Sequence, residues 1–378
     1  MSFQKVDFTK QVCYKKDNYI QAKTGVIKMH ILKWLLKAAA AGIAAIAILC
    51  GLLCFYDIVP VHEENKKGNT DYVWPANSVW VKATEGIAFG KFDANGFNNI
   101  TITDDPDIIV LGSSHMEATN VMQSENAACL LSKKLEDRYS VYNMGISDHN
   151  FFKVCQYLPV DLELFDPVPK VVIIETSTVR ITKKKADKVI SSSLGHVPSH
   201  SSGIVGMLQK IPFFRAVYHQ VKRGLLHLFM PESGSSSEKT EKDADAGGNE
   251  DVKETKIKIN TAAYEEIFSY LMHMEEKYGT QIIIVFHPTE KLMEDGTIFF
   301  DRDEHLRVFS SYAIEYGISF IDMSDRFEKM FYEENHVAHG FCTGKIAAGH
   351  LNKYGHAAVA DELYNEICRL EEAGVLCR

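Results

Sequence analysis

Residues 107–115 read Asp-Ile-Ile-Val-Leu-Gly-Ser-Ser-His, an apolar run followed by a glycine, two serines and a histidine. Its apolar run shows no alternation with polar residues, which is typical of a strand buried on both faces of a parallel sheet. Gly112 ends the run, so Ser114 is predicted to lie just beyond the carboxyl end of a strand. Ligands bind at this edge in open α/β sheets.

Four further runs share the same apolar pattern: SVYNMG at 140–145, VVIIE at 171–175, QIIIVF at 281–286 and ISFID at 318–322. Patterns with helical periodicity lie between or after most of them, at 127–138, 261–278, 304–316 and 357–373. This alternation predicts an α/β fold with a doubly wound, mainly parallel five-stranded sheet in a flavodoxin-like, three-layer arrangement.

The N-terminal region predicts a membrane anchor. Residues 38–56 carry no charge and are about as long as a bilayer-spanning helix requires. Lysines crowd residues 1–37, whereas acidic residues follow Tyr56, and this asymmetry places the N-terminus in the cytoplasm. We therefore expect a single-pass type II protein of the cell membrane with an extracytoplasmic domain. A cleaved signal peptide is the alternative, which the long basic region and the bulky exit at 54–56 disfavour.

Composition divides the remainder of the chain. Residues 57–106 form an extracytoplasmic lead-in, and 107–378 form the α/β domain with an insertion at 180–258. Within that insertion, 202–230 is amphipathic and predicts a lid, a partner surface, a membrane-surface helix or a helix packed on the sheet. The Ser, Glu, Lys, Asp and Gly of 231–254 predict a disordered linker. The net charge of −9 argues against an electrostatic nucleic-acid footprint.

A late histidine supplies the second half of a possible active site. Residues 349–356 read Gly-His-Leu-Asn-Lys-Tyr-Gly-His and place His350 just before an amphipathic terminal helix. A serine at a strand edge together with a late histidine is the raw material of nucleophilic acyl chemistry. An N-cap role is the alternative for Ser114, because serine is common at such junctions.

These segments together resemble the SGNH (GDSL-type) hydrolase superfamily. The resemblance is carried by Gly-Ser-Ser at 112–114, Asn-Met-Gly at 143–145 and the 350–356 segment, and it covers 107–372 apart from the insertion. It is strongest to the membrane-anchored branch that adds or removes acetyl groups on surface polysaccharides. Thr-Glu-Gly at 84–86 and the stretch at 93–97 also resemble the lead-in of such proteins.

The resemblance implies roles for individual residues. Ser114 would be the nucleophile and His350 the base, while the backbone N–H of Gly145 would help to hold the oxyanion. Asn143 and Ser177 are further candidates for oxyanion or substrate contacts. The resemblance also implies a surface polysaccharide as substrate and, for an acetyltransferase, a separate multi-pass membrane acyltransferase as partner.

Two departures from the family pattern leave the activity open. The acid expected three residues before the histidine is replaced by Ala347, and Glu-Thr-Ser-Thr at 175–178 stands where an oxyanion asparagine is expected. An acid from elsewhere is possible, with Glu117, Asp148 and Asp322 near predicted strand ends, and no choice among them follows. The alternative function is therefore a catalytically silent scaffold or glycan-binding protein of a polysaccharide assembly complex.

Histidines near the C-terminus invite a metal interpretation, which the spacing does not favour. His336, His339, His350 and His356 have no completing cysteine or acidic pattern, and loop histidines are usually solvated. The glycine spacing and lysine of a phosphate-binding loop are also missing after Gly112. We therefore predict neither a metal nor another cofactor.

Overall fold

The structure is a computed structural model that describes residues 29–49, 63–64, 72–83, 85–136, 138–191 and 259–376. The chain divides into two compact units, Met1–Cys54 and Phe55–Arg378. In the first, helix α1 (Met29–Leu49) is long and apolar enough to cross a membrane. It begins before the predicted span of 38–56, and residues 50–56 of that span lie outside the described residues.

The second unit begins with two short antiparallel pairs. Strand β1 (Glu63–Glu64) pairs with β2 (Tyr72–Val73), and β3 (Val79–Lys82) pairs with β4 (Ala88–Lys91). In the second pair, Trp80 is fully buried and its indole lies against Gly90, where a side chain would collide with the ring. This packing fixes the hairpin whose connecting segment includes Glu85.

The central sheet confirms the predicted fold class. Its strands are β5 (Ile108–Leu111), β6 (Val141–Asn143), β7 (Val171–Thr176), β8 (Gln281–Phe286) and β11 (Ser319–Asp322). They lie in the order β11-β8-β7-β5-β6, and every neighbouring pair is parallel. All five apolar runs thus form strands, and their carboxyl ends share one edge.

Helices cover both faces of this sheet. They are α2 (Ser114–Glu117), α3 (Ala127–Leu135), α4 (Phe151–Leu162), α5 (Lys183–Ile190), α6 (Thr261–Tyr278), α7 (Glu304–Glu315), α8 (Ser324–Glu334) and α9 (Lys353–Glu372). Successive strand residues enter two different cores, with Ile109 and Leu111 in one and Ile108 and Val110 in the other. Both faces are therefore apolar, which explains why the strands show no alternation.

Two further antiparallel pairs lie beside the sheet. Strand β9 (Glu290–Leu292) pairs with β10 (Ile298–Phe300), and β12 (His339–Gly340) pairs with β13 (Ile346–Leu351). Within the predicted insertion, the structure describes α5. The rest of it, including the amphipathic stretch at 202–230 and the predicted linker at 231–254, lies outside the described residues, as do residues 1–28 of the predicted tail.

Candidate active site

The turn after β5 presents Ser114 as the first residue of α2. Ser113 is the N-cap of this helix, and its Oγ accepts a hydrogen bond from the backbone N–H of His115. The carboxylate of Glu175 in β7 fixes the turn, because its Oε2 accepts from Ser113 N–H at 2.7 Å and from Ser113 Oγ at 2.9 Å. Gly112 is needed here, since a Cβ would lie 2.5 Å from that same oxygen.

His350 reaches Ser114 from β13. Its Nε2 lies 2.9 Å from Ser114 Oγ, within hydrogen-bond distance. Asn352 places the strand end by donating to the carbonyls of Val337 and Gly340 while capping α9 through Tyr354 N–H and Gly355 N–H. The His350 side chain is 31% exposed, so the pair is open to a substrate.

The third member of the site is Glu85, which comes from the lead-in segment between β3 and β4. Its Oε2 lies 2.9 Å from His350 Nδ1, and its Oε1 accepts from the backbone N–H of His350 at 2.9 Å. Burial raises the pKa of the Glu85 carboxyl, but the hydrogen bonds and the charge of His350 lower it by more. The pKa of Glu85 therefore lies below the usual range of a glutamate. A carboxylate only accepts hydrogen bonds, so it favours the tautomer with the proton on Nδ1.

Two glycines with positive φ seat this carboxylate. Gly86, at φ +80°, donates its N–H to Thr343 Oγ1, and a side chain there would collide with the Asn120 carbonyl. Gly349, at φ +85°, lies against Glu85, and a Cβ at that position would overlap the carboxylate oxygen. The residue before His350 therefore has to be small for Glu85 to approach.

Sequence reasoning missed Glu85 because its segment lies outside the domain that carries the family motifs. In the sequence, Thr-Glu-Gly at 84–86 resembles only the lead-in of such proteins. The other feature that could have pointed to a close neighbour of His350 is Gly349, the small residue before it. The position that the family pattern assigns to an acid, Ala347, has φ +56° and is buried in the apolar core. An acidic side chain there would face that core instead of the imidazole.

The three acids considered from the sequence lie elsewhere. Glu117 is buried and accepts from Ser147 N–H at 2.7 Å, and burial raises the pKa of its carboxyl. Asp322 accepts from the N–H and the hydroxyl of Ser324 at the start of α8, whereas Asp148 is exposed in the loop after β6.

Two of the three candidate oxyanion residues, Gly145 and Asn143, contact α2. Gly145 packs so closely on α2 that a Cβ would lie 2.5 Å from Glu117 N, and its own N–H donates to Asn143 Oδ1. Asn143 also donates to Met116 O, so its amide joins β6 to α2. Ser177 is exposed at the end of β7, with no hydrogen bond to the Ser–His pair among the described residues. Their oxyanion roles stay predictions.

The backbone N–H of Ser114 is a further candidate donor for an oxyanion. The N–H of Ser114 belongs to the first turn of α2, whose amides have no partner within the helix. Within the described part of the chain it donates to no protein atom. It is therefore available to an oxyanion that forms at the serine.

A second histidine network lies behind the turn that carries Ser114. His287, at the end of β8, has Nε2 2.6 Å from Glu175 Oε1, and its ring lies 4.3 Å, between centroids, from that of His115. Burial and neighbouring imidazoles lower the pKa values of both His115 and His287. His356 is separate from this network, because its Nδ1 accepts from Ala127 N–H and its burial lowers its pKa to about 3.

No protein-family model and no curated protein sequence matches the chain. Solved structures with a similar fold include the acetyl xylan esterase AlAXEase, with 12% identity and a TM-score of 0.38 over 69% of this chain and 99% of that one. A catalytic mutant of an acetylxylan esterase from Geobacillus stearothermophilus has 12% identity and a TM-score of 0.35 over 71% and 96%.

An alpha/beta hydrolase enzyme from the metagenome of Lake Arreo, Spain, has 13% identity and a TM-score of 0.35 over 73% of this chain and 99% of that one. At such identities and TM-scores, similarity carries no argument about chemistry. The function proposed below therefore depends on the geometry of the site.

Proposed function

We propose that the protein is a serine esterase or acyltransferase that uses Ser114, His350 and Glu85 as a catalytic triad. The observation that carries the proposal is the continuous chain of contacts from Ser114 Oγ to His350 Nε2, and from His350 Nδ1 to Glu85 Oε2, each 2.9 Å long. Each contact lies within the range that general-base catalysis needs. A silent scaffold has no need of this arrangement.

The geometry supports a two-step acyl transfer. Ser114 Oγ attacks the ester carbonyl while its proton moves to His350 Nε2, and Glu85 stabilises the imidazolium that forms. The tetrahedral oxyanion takes a hydrogen bond from Ser114 N–H. Collapse breaks the ester bond, and the leaving alcohol takes the proton from His350, which leaves an acyl group on Ser114. Water or a sugar hydroxyl then attacks this acyl-enzyme with His350 again as base.

We further propose that the ester is an O-acetyl group on a surface polysaccharide and that the reaction is extracytoplasmic. The family resemblance of the motifs supports the substrate class. The length and hydropathy of α1, with the basic residues before it, support a type II anchor. Transfer in the direction of acetylation would require an acyl donor, for which a multi-pass membrane acyltransferase is the proposed partner.

The proposed activity is tested with the full-length protein in detergent and 4-nitrophenyl acetate as substrate. We expect nitrophenol release that Ser114→Ala abolishes and that Ser124→Ala, which changes an exposed serine, leaves unchanged. Equal rates in the wild type and Ser114→Ala would refute the proposal. Acetylated and deacetylated polysaccharides, offered with and without an acetyl donor, then distinguish hydrolysis from transfer.

A further inference from the structure

Three imidazoles converge beside the Ser114–His350 pair. His115, His287 and His339 each offer a ring nitrogen, and these nitrogens all lie within 4.8 Å of one another. His287 and His339 are 1% and 3% exposed. His115 lies in α2, His287 directly follows β8, and His339 lies in β12. Three separate elements therefore each contribute one imidazole to the same small volume.

The protons on His287 are assigned by its neighbours. Glu175 already accepts two hydrogen bonds from Ser113 through Oε2, and its Oε1 faces His287 Nε2 at 2.6 Å. A carboxylate accepts only, so His287 Nε2 carries the hydrogen and Nδ1 keeps a lone pair. That lone pair faces His339 Nε2 at 3.3 Å.

His339 cannot satisfy both of its neighbours as a neutral ring. Among the described residues, its buried Nδ1 has no hydrogen-bond partner. It lies 3.4 Å from Glu290 Oε2, which accepts the backbone N–H of His339. With the proton on Nε2, the Nδ1 lone pair faces that carboxylate. With the proton on Nδ1, two lone pairs face each other across 3.3 Å. Lone pairs this close in a buried site are costly unless a cation lies between them.

We propose that His287 Nδ1, His339 Nε2 and His115 bind a divalent transition-metal ion of the zinc class. Two imidazole nitrogens on a tetrahedral Zn²⁺ with bonds of about 2.0–2.1 Å are about 3.3–3.4 Å apart. The His287–His339 separation is 3.3 Å. All-imidazole ligand sets suit zinc, copper or nickel rather than magnesium or calcium.

Both buried ligands have the outer partners that metal-binding histidines use. Glu175 lies behind His287, and Glu290 lies behind His339, so each ring has a carboxylate opposite its metal-facing nitrogen. Such carboxylates fix the tautomer and orient the ring. With the ion bound, the hydrogen on His339 Nδ1 faces Glu290, which resolves the conflict in the neutral ring.

His115 completes the set after a local change. Its Nδ1 accepts from Leu351 N–H at 3.2 Å, which leaves the hydrogen on Nε2. Ligation through Nε2 moves that hydrogen to Nδ1 and releases the hydrogen bond from Leu351. The ion then ties the residue after Ser114 to β8 and β12 and so holds the nucleophile turn. Of the four histidines that the sequence suggested as metal ligands, only His339 belongs to this site.

The test uses full-length protein without a histidine tag, treated with a chelator and then titrated with Zn²⁺ by calorimetry and with Co²⁺ by visible absorption. We expect one ion per chain and the absorption bands of tetrahedral Co²⁺. Glu290→Gln should weaken affinity about 10–100-fold, the usual effect of removing an outer carboxylate. His287→Ala and His339→Ala should weaken it more, and His336→Ala, which changes a half-buried histidine outside the cluster, should leave it unchanged.

Zinc binding that survives both His287→Ala and His339→Ala would overturn the proposal, because the ion would then lie elsewhere. No zinc binding to the wild type would also overturn it and would indicate that a proton satisfies the cluster. If either alanine variant fails to fold, X-ray absorption of the zinc-loaded wild type decides. About three imidazoles at 2.0–2.1 Å support the site, whereas fewer than two contradict it. Metal binding does not depend on Ser114, so Ser114→Ala should bind zinc with wild-type affinity even if it lacks esterase activity.

Discussion

Replacing Glu85 with glutamine should disable the site without removing either the nucleophile or the base. In the wild type, the backbone N–H of His350 donates to Glu85 Oε1, and Oε2 faces His350 Nδ1. The same N–H would hold the glutamine carbonyl oxygen, so the glutamine NH₂ would face Nδ1. Nδ1 would then have to accept, which leaves the hydrogen on Nε2 and removes the lone pair that takes the serine proton.

The expected loss follows from this change of tautomer. In a serine protease triad, the corresponding acid-to-amide change lowers kcat by about 10⁴-fold. Each factor of ten corresponds to about 1.36 kcal/mol of barrier, so a loss of that size is about 5.4 kcal/mol. The Glu85 side chain is 34% exposed, and solvent can partly replace a missing carboxylate. We therefore expect Glu85→Ala to lose about 10²-fold and Glu85→Gln about 10³–10⁴-fold in kcat.

The assay is 4-nitrophenyl acetate hydrolysis by full-length wild type and variants, with Glu294→Gln as the control because Glu294 is exposed away from the site. Thermal unfolding curves show whether each variant is folded. A Glu85→Gln enzyme within about threefold of the wild type, alongside an inactive Ser114→Ala, would refute the role of Glu85 and indicate a Ser–His dyad.

Three further predictions follow from the same geometry. Gly349→Ala adds a side chain at φ +85° where the Glu85 carboxylate lies. We expect kcat to fall at least about tenfold with KM nearly unchanged. An unchanged kcat would contradict the close contact between Gly349 and Glu85. The folded pKa of Glu85 lies below its unfolded value, so its stabilising contribution is full above the unfolded pKa and lost as pH falls through the folded pKa. The free energies of unfolding of the wild type and Glu85→Gln, measured in urea, should therefore converge at low pH. A difference that stays constant with pH would contradict this. Leu363→Ala in the core should lower the free energy of unfolding by about 2–5 kcal/mol in urea, and a loss below about 1 kcal/mol would contradict the packing.

The sheet was predictable because its physics is local. Strand residues buried on both faces must be apolar at every position. Ile108–Leu111 and the other four runs can therefore be recognised as strands in the sequence. Parallel strands bring their carboxyl ends to one edge, which made Ser114 a reasonable candidate. The helical pattern of the last segment placed His350 just before the terminal helix, whereas its role as the base rested on family resemblance.

The acid was not predictable in the same way. Glu85 meets His350 across 265 positions of sequence, and nothing in its own segment distinguishes it from a solvated loop acid. Its place depends on a hairpin fixed by Trp80 and on Gly349, which leaves space for the carboxylate. In the sequence, Glu175 is likewise only part of a departure from the family pattern, and Glu290 carries no signal of its own. Both depend on the histidines that the fold places beside them.

Trapping an acyl group on Ser114 would show whether this serine is the nucleophile. Full-length protein is mixed with 4-nitrophenyl acetate, quenched with acid while turnover continues, and digested for peptide mass spectrometry. The account predicts an acetyl group on the peptide that contains Ser114, located on that residue and missing from Ser114→Ala. Hydrolysis that proceeds equally in the folded Ser114→Ala variant, or an acetyl group on another residue that forms at the rate of turnover, would contradict it.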